Sequence, residues 1–181
     1  MMKRLYHFLL RLTGWKIISS IPSGLTKFII AVAPHTSNLD FIIGVLVRGA
    51  MGFKAYFLGK KSLFIFPLGY IFKAMGGIPV DRSRNHRLVE QITGIAAGKD
   101  RFILAIAPEG TRKQVEKWRS GFYFIALKSG MPIILTQLDW KHHIVRFREP
   151  FFPTGDLDAD MVIVRDYFNG IKGYRETHKS Q

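Results

Sequence analysis

Apolar residues in this chain fall into two kinds of run. One kind is continuous. Residues 27–33 read KFIIAVA and residues 101–107 read RFILAIA. Neither alternates, so each predicts a strand covered on both faces, as in a parallel sheet between helical layers. The other kind recurs at helical spacing, as with Leu5, Phe8, Leu9 and Leu12. Read from end to end, the pattern predicts helix (2–19), strand (27–33), helix (38–51), strand (54–58), helix (62–75), strand (77–80) and helix (86–98). It continues with strand (102–107), helix (119–129), strand (132–138), strand (143–148) and helix (157–170), the last two strands joined as a hairpin through WKHH. Strands alternating with helices predict an α/β fold with a mixed, largely parallel central sheet flanked by helices. No linker or low-complexity stretch divides the chain. Residues 23–181 therefore read as a single α/β domain, preceded by an amphipathic helix in residues 1–22.

The two continuous strands end alike. AVAPHTSNLD (31–40) passes through Pro34 to His35, and FILAIAPEGTR (102–112) passes through Pro108 to Glu109. If the strands lie parallel in one sheet, His35 and Glu109 leave it at the same carboxyl edge. Open α/β sheets bind their ligands there. The likeness does not extend into the flanks, so two buried strands of similar composition explain it better than duplication.

Composition narrows the partners. The 181 residues carry a net charge of +14, which calls for anionic partners: nucleic acid, a membrane surface or phosphorylated small molecules. The absence of cysteine excludes disulfides, thiolate metal sites and a cysteine nucleophile. Residues 1–22 are broken by His7 and Arg11 and carry no small-residue cleavage site, which speaks against a signal peptide and against a membrane span. Their basic, amphipathic pattern suits a helix lying in a membrane interface, and equally a helix packed on its own domain. Residues 63–72, LFIFPLGYIF, are too short to span a bilayer but could border an acyl groove or dip into lipid. No nucleic-acid motif, Walker loop or dinucleotide fingerprint accompanies the charge, so no nucleic-acid partner is expected.

Several residues could carry chemistry. His35 precedes Asp40 by five positions, which on a continuous helix leaves the side chains about 140° apart. They can meet only if His35 sits in the loop and Asp40 in the first turn. A carboxylate on one imidazole nitrogen frees the other as a base. Ser37-Asn38-Leu39-Asp40 also reads as a capping box, in which Asp40 merely caps. In Pro108-Glu109-Gly110-Thr111-Arg112, the Gly110 amide can approach a ligand and Arg112 can grip a phosphate; the plain reading is a turn with a surface arginine. Gly76-Gly77-Ile78-Pro79-Val80-Asp81-Arg82 would bring Arg82 to a strand end, or leave an Asp-Arg surface pair. His142 and His143 lack ligand spacing with His35, so no metal site is expected.

Together, and in this order, the motifs His-x4-Asp (35–40), Gly-Gly-Ile-Pro-Val-Asp-Arg (76–82), Pro-Glu-Gly-Thr-Arg (108–112) and Met-Pro-Ile-Ile (131–134) resemble the glycerolipid acyltransferase family, typified by 1-acylglycerol-3-phosphate acyltransferases. The resemblance implies direct acyl transfer from an acyl thioester, coenzyme A or acyl carrier protein, to the hydroxyl of a lysophospholipid at a membrane, with no cofactor. It implies His35 as general base oriented by Asp40, and Arg82 and Arg112 as the phosphate grip. It implies Glu109, Gly110 and Thr111 at the acceptor site, the Gly110 amide as an oxyanion donor, and Pro132 and Ile133 beside the acyl chain. The chain departs from the family pattern at Pro34, Thr36 and Ala107. The densely charged stretch after Arg112 points to Lys117, Trp118 and Arg119 as further acceptor contacts. An anionic membrane surface is the expected partner, with the protein peripheral on its cytoplasmic face. A non-catalytic lipid-binding module on the same fold is the alternative.

Overall fold

In the computed structural model, residues 2–80, 85–113 and 115–178 are described. Their strands are β1 (Lys16–Ser19), β2 (Lys27–Ala33), β3 (Tyr56–Lys60), β4 (Gly77–Val80), β5 (Phe102–Ile106), β6 (Ile133–Asp139) and β7 (Ile144–Phe147). They form one sheet in the order β1-β7-β6-β2-β5-β3-β4. Strands β6, β2, β5, β3 and β4 run parallel, while β7 pairs antiparallel with β6 and carries β1 parallel to itself. The expected hairpin of the last two strands is present, with Asp139 opposite Ile144.

The uninterrupted apolarity of β2 follows from its central position. Its neighbours are β5 and β6, with Ile30 in register with both Ala105 and Ile134. Successive side chains point to opposite faces. Ile29, Ala31 and Ala33 enter one core cluster with residues of helices α4 (Asn85–Ala97), α5 (Gly121–Ser129) and α6 (Leu157–Phe168). Phe28 and Ile30 enter another with Leu10 of α1 (Met2–Leu12) and Ile43 and Val47 of α2 (Leu39–Met51). The sheet is thus covered on both faces.

Three elements differ from the sequence-based expectation. The first helix stops at Leu12, not residue 19. Gly14 has φ 76°, its amide donates to the Arg11 carbonyl (3.0 Å), and the Trp15 amide donates to the Leu10 carbonyl (2.9 Å). This is a Schellman cap, sealed by Leu10 and Trp15 in the same core cluster. Lys16–Ser19 then pairs with β7 as an edge strand. The helix expected over 62–75 divides at Pro67 into a 3₁₀ turn (Lys61–Phe64) and α3 (Leu68–Ala74), since proline has no amide to continue a helix from Leu63. After α6 comes a further short helix, α7 (Tyr174–His178).

Candidate active site

Because β2 and β5 are parallel neighbours, their exits lie side by side, as expected. The His35 amide donates to Glu109 Oε2 at 2.8 Å. One N–H of Arg112 donates to the Asn38 side-chain carbonyl, tying the β5 exit to the start of α2. His35, Asp40, Glu109 and Arg112 are therefore held together by bonds between the two loops.

Asp40 is the hub. It sits in the first turn of α2 with its side chain only 3% exposed. Its Oδ2 accepts from the amides of Thr36 (2.8 Å) and Ser37 (2.7 Å) and lies 3.0 Å from His35 Nδ1. Its Oδ1 accepts from Trp140 Nε1 at 2.7 Å. The two roles open to Asp40 are both filled: one carboxylate caps the loop amides and holds the imidazole. In a neutral ring, a carboxylate facing Nδ1 favours the tautomer with the proton there and the lone pair on Nε2.

Trp140 is a site residue that the sequence did not point out. It directly follows the last residue of β6, Asp139, and is buried. The available signal was that a buried indole N–H needs an acceptor. The residues behind it are also part of the support. Trp140 meets Trp15 at 4.9 Å and Tyr174 of α7 at 4.8 Å between ring centroids. The Arg175 amide donates to Thr36 Oγ1 at 3.3 Å. Strand β1's lead-in and α7 therefore brace the His35 loop from the side away from β5.

The other expected residues divide. Thr111, Lys117, Trp118 and Arg119 line the same cavity as His35, Glu109 and Arg112. Trp118 is half-buried and meets Phe168 at 5.4 Å between centroids, so much of its ring is committed to packing on α6. The Gly110 amide, expected to serve an oxyanion, donates instead to the Ala107 carbonyl at 3.1 Å, closing the turn. What Gly110 supplies is its backbone: φ is 67°, and a Cβ there would fall 2.7 Å from Arg119 Cδ. Pro132 and Ile133 are buried and do not line the cavity; Ile133 belongs to the core cluster on the α5 side. Arg82 lies outside the described residues. His142 pairs with Asp139 (2.7 Å) and His143 stacks on Trp15, so neither joins His35.

The cavity has a volume of about 1300 Å³, above the roughly 300–1,000 Å³ of common small-molecule pockets. Its polar part holds His35, Asp40, Glu109 and the cations Arg112, Lys117 and Arg119. Its apolar part reaches both faces of the sheet, from Phe41 and Val45 on α2 to Val89 on α4 and Phe122 on α5. The reason lies in the ladder between β3 and β5, which has only the pairs Tyr56–Leu104 and Phe57–Ala105. Beyond them Leu58 and Ile106 both face the cavity.

The sequence profile of the family described as Acyltransferase matches residues 17–136. The chain belongs to this acyltransferase family. It is an enzyme of that class, and the His35 and Glu109 loops both lie inside the matched region. Among solved structures, the chain is similar to the 1-acyl-sn-glycerophosphate (LPA) acyltransferase PlsC from Thermotoga maritima, with 16% identity and a TM-score of 0.56 over 91% of this chain and 76% of that one. At that identity the likeness speaks for the fold, an α/β sheet flanked by helices. No curated protein sequence matches the acyltransferase chain significantly.

Glu109 carries the one strong electrostatic perturbation among the acyltransferase's described acids. Burial pushes its carboxyl from 4.5 up to about 7; the His35 amide and ring pull it down, and the Asp40 and Glu176 carboxylates push it up. A raised native pKa means the folded chain holds this proton where the unfolded chain has lost it. The group therefore loses stabilising effect as pH rises from about 4.5 to about 7. Glu109→Gln keeps an acceptor for the His35 amide and removes the titration. The stability advantage of wild type over the variant is expected to shrink between pH 5 and pH 7.5, measured by urea unfolding. A constant difference would refute the raised pKa.

Proposed function

We propose that the enzyme transfers a fatty acyl group from an acyl thioester, acyl-CoA or acyl carrier protein, to the hydroxyl of a lysophospholipid. 1-Acylglycerol-3-phosphate is the first acceptor to test, since the Thermotoga protein is named for that activity. The observation that carries the reading is the His35–Asp40 pair, 3.0 Å apart, at the polar end of an apolar cavity rimmed by cations.

In this reading His35 Nε2 takes the proton from the acceptor hydroxyl as its oxygen attacks the thioester carbonyl carbon. The C–O bond forms, the C–S bond breaks, and the departing thiolate takes up a proton. Asp40 orients the imidazole and stabilises its charged form. A guanidinium has five N–H groups, so Arg112 keeps donors for a phosphate beside the one given to Asn38. Arg82 joins it on the strength of the sequence resemblance, and Glu109 positions the His35 loop. The apolar part of the cavity accommodates acyl chain. Peripheral association with the anionic cytoplasmic face of a membrane completes the reading. It is supported by the exposed Leu5, Phe8 and Leu12 on α1, opposite to the side where Tyr6 lies over Gly49 of α2, and by the net charge of +14. Among the described residues no helix is long and apolar enough to cross a membrane.

The test is a panel of lysolipids with acyl-CoA and acyl carrier protein as donors, following thiol release and product mass. Acceptor-dependent release is expected, with phosphate-bearing acceptors at least about tenfold better than a monoacylglycerol, the factor expected of one charge-assisted contact. No acceptor-dependent release with either donor would overturn the function. Equal rates on the phosphate-free acceptor would overturn the role of Arg112.

A further inference from the structure

Helices α1, α2 and α3 cover the same face of the sheet. Phe72 of α3 packs on Phe57 of β3, with centroids 6.5 Å apart, and Phe57 meets Phe41 of α2 at 5.0 Å. Arg48 of α2 donates to the carbonyls of Met75 (2.6 Å) and Ala55 (3.3 Å), fixing α2 to the end of α3. The outer surface of this layer is apolar over the stretch between β3 and β4. Leu63, Ile65, Phe66, Leu68, Tyr70 and Ile71 are all exposed, Phe66 to 80% and Tyr70 to 71%. Leu39 and Ile42 on α2 are exposed as well. Among the described residues, the opposite helical layer exposes only Phe124, Leu127, Val162 and Ile163 of its large apolar side chains.

Large contiguous apolar patches on a folded chain mark a surface that meets something. Charge decides what. Lys60 and Lys61 precede the patch and Lys73 follows its exposed residues, on a chain of net charge +14. Two copies meeting here would bring like charges together, whereas an anionic lipid surface takes up both the cations and the apolar side chains. The patch begins directly after β3, at the carboxyl edge of the parallel strands where His35 and Glu109 also emerge.

We propose that Leu63–Ile71 is a membrane-inserting element of its own, distinct from α1, which dips into an anionic lipid surface and seats the mouth of the cavity against the bilayer. The proposal rests on the reading of the substrate as a membrane lipid. α1 and Leu63–Ile71 then act as two contacts either side of α2, and two contacts fix the tilt of the site where one would leave it free.

The test uses the full chain with Ile65→Ser, Phe66→Ser and Tyr70→Ser combined, on vesicles of phosphatidylglycerol and phosphatidylcholine. All three side chains are exposed, so the melting temperature is expected to hold. Vesicle binding is expected to fall at least tenfold, and turnover of a long-chain lysophospholipid embedded in vesicles to fall with it. Turnover of a short-chain lysophospholipid below its micellar concentration is expected to stay within twofold of wild type. In a separate F66W variant, the emission added to that of the three native tryptophans, taken as the difference from wild type, is expected to shift to the blue on vesicles and to be quenched by brominated lipid. Unchanged vesicle binding together with no quenching of the added emission beyond that of wild type would overturn the proposal. So would a wild-type dimer that the triple variant converts to monomer, which would make the patch a contact between copies. Failure of the functional reading shows separately, as wild type that binds vesicles but turns over neither substrate.

Discussion

His35→Ala is expected to lower kcat/KM by about 10³-fold or more while leaving the fold in place. A positioned general base contributes about 10²–10⁴-fold, and here the same nitrogen must also discharge its proton after the thiolate leaves. The fold is expected to survive because the structural duty of this residue lies in its backbone. The amide that donates to Glu109 is retained in alanine, and the Asp40 carboxylate keeps its bonds to Thr36, Ser37 and Trp140. The side chain is 28% exposed, so its removal opens no sealed void. Thiol release and a melting curve on one preparation check both halves. A variant with wild-type melting and activity within tenfold of wild type would sink the assignment of the base, and with it the need for Asp40. A non-catalytic lipid-binding module predicts instead no acceptor-dependent thiol release from wild type or variant.

The parallel core was readable because it depends on composition alone. A strand such as KFIIAVA, apolar at every position, has one comfortable place, the middle of a sheet covered on both faces. Two such strands placed in one sheet bring their exits together, which is why the His35–Glu109 contact could be expected across 74 residues. Edge strand β1 was not readable in this way. Its residues are mostly exposed, so its apolar positions extend the pattern of the preceding helix, and only Gly14 marks the break. The same limit applies within the site. A Pro-x-Gly turn shows that a glycine is needed, but not which way its amide points, and at Gly110 it points into the turn. Asp40 had two possible partners, and local spacing could not choose between them; the tertiary structure uses both. Trp140 lies 100 residues from Asp40, and no local spacing encodes that bond.

Asp40→Asn is expected to be nearly as severe as loss of His35, and for a reason that also singles out Trp140. The carboxylate meets donors on both oxygens: His35 Nδ1 and the Thr36 and Ser37 amides on Oδ2, and the Trp140 indole on Oδ1. An asparagine amide has one oxygen and one NH2 group. Whichever way it turns, an NH2 faces at least one N–H, leaving a buried donor unpaired at about 1–3 kcal/mol. If the NH2 turns toward His35, the imidazole moves its proton to Nε2 to accept it, and the base is lost. A wrong tautomer of this kind costs about 10⁴-fold in the Ser-His-Asp hydrolases, so a fall in kcat of about 10³–10⁴ is expected here on the same ground. Trp140→Phe removes the indole donor and, being the smaller ring, part of the packing on Trp15 and Tyr174. A hydrogen bond to a charged group contributes about 1.5–3 kcal/mol, and at least that much stability is expected to go, since lost packing adds to it. Activity is expected to fall by roughly tenfold, mostly in kcat, because the carboxylate loses one of the bonds that aim it at His35. The decisive measurement is the double variant. If Trp140 acts on catalysis through Asp40, Trp140→Phe costs little further activity once asparagine stands at position 40. Additive losses of kcat in the double variant would show that Trp140 acts on turnover by some route other than the carboxylate.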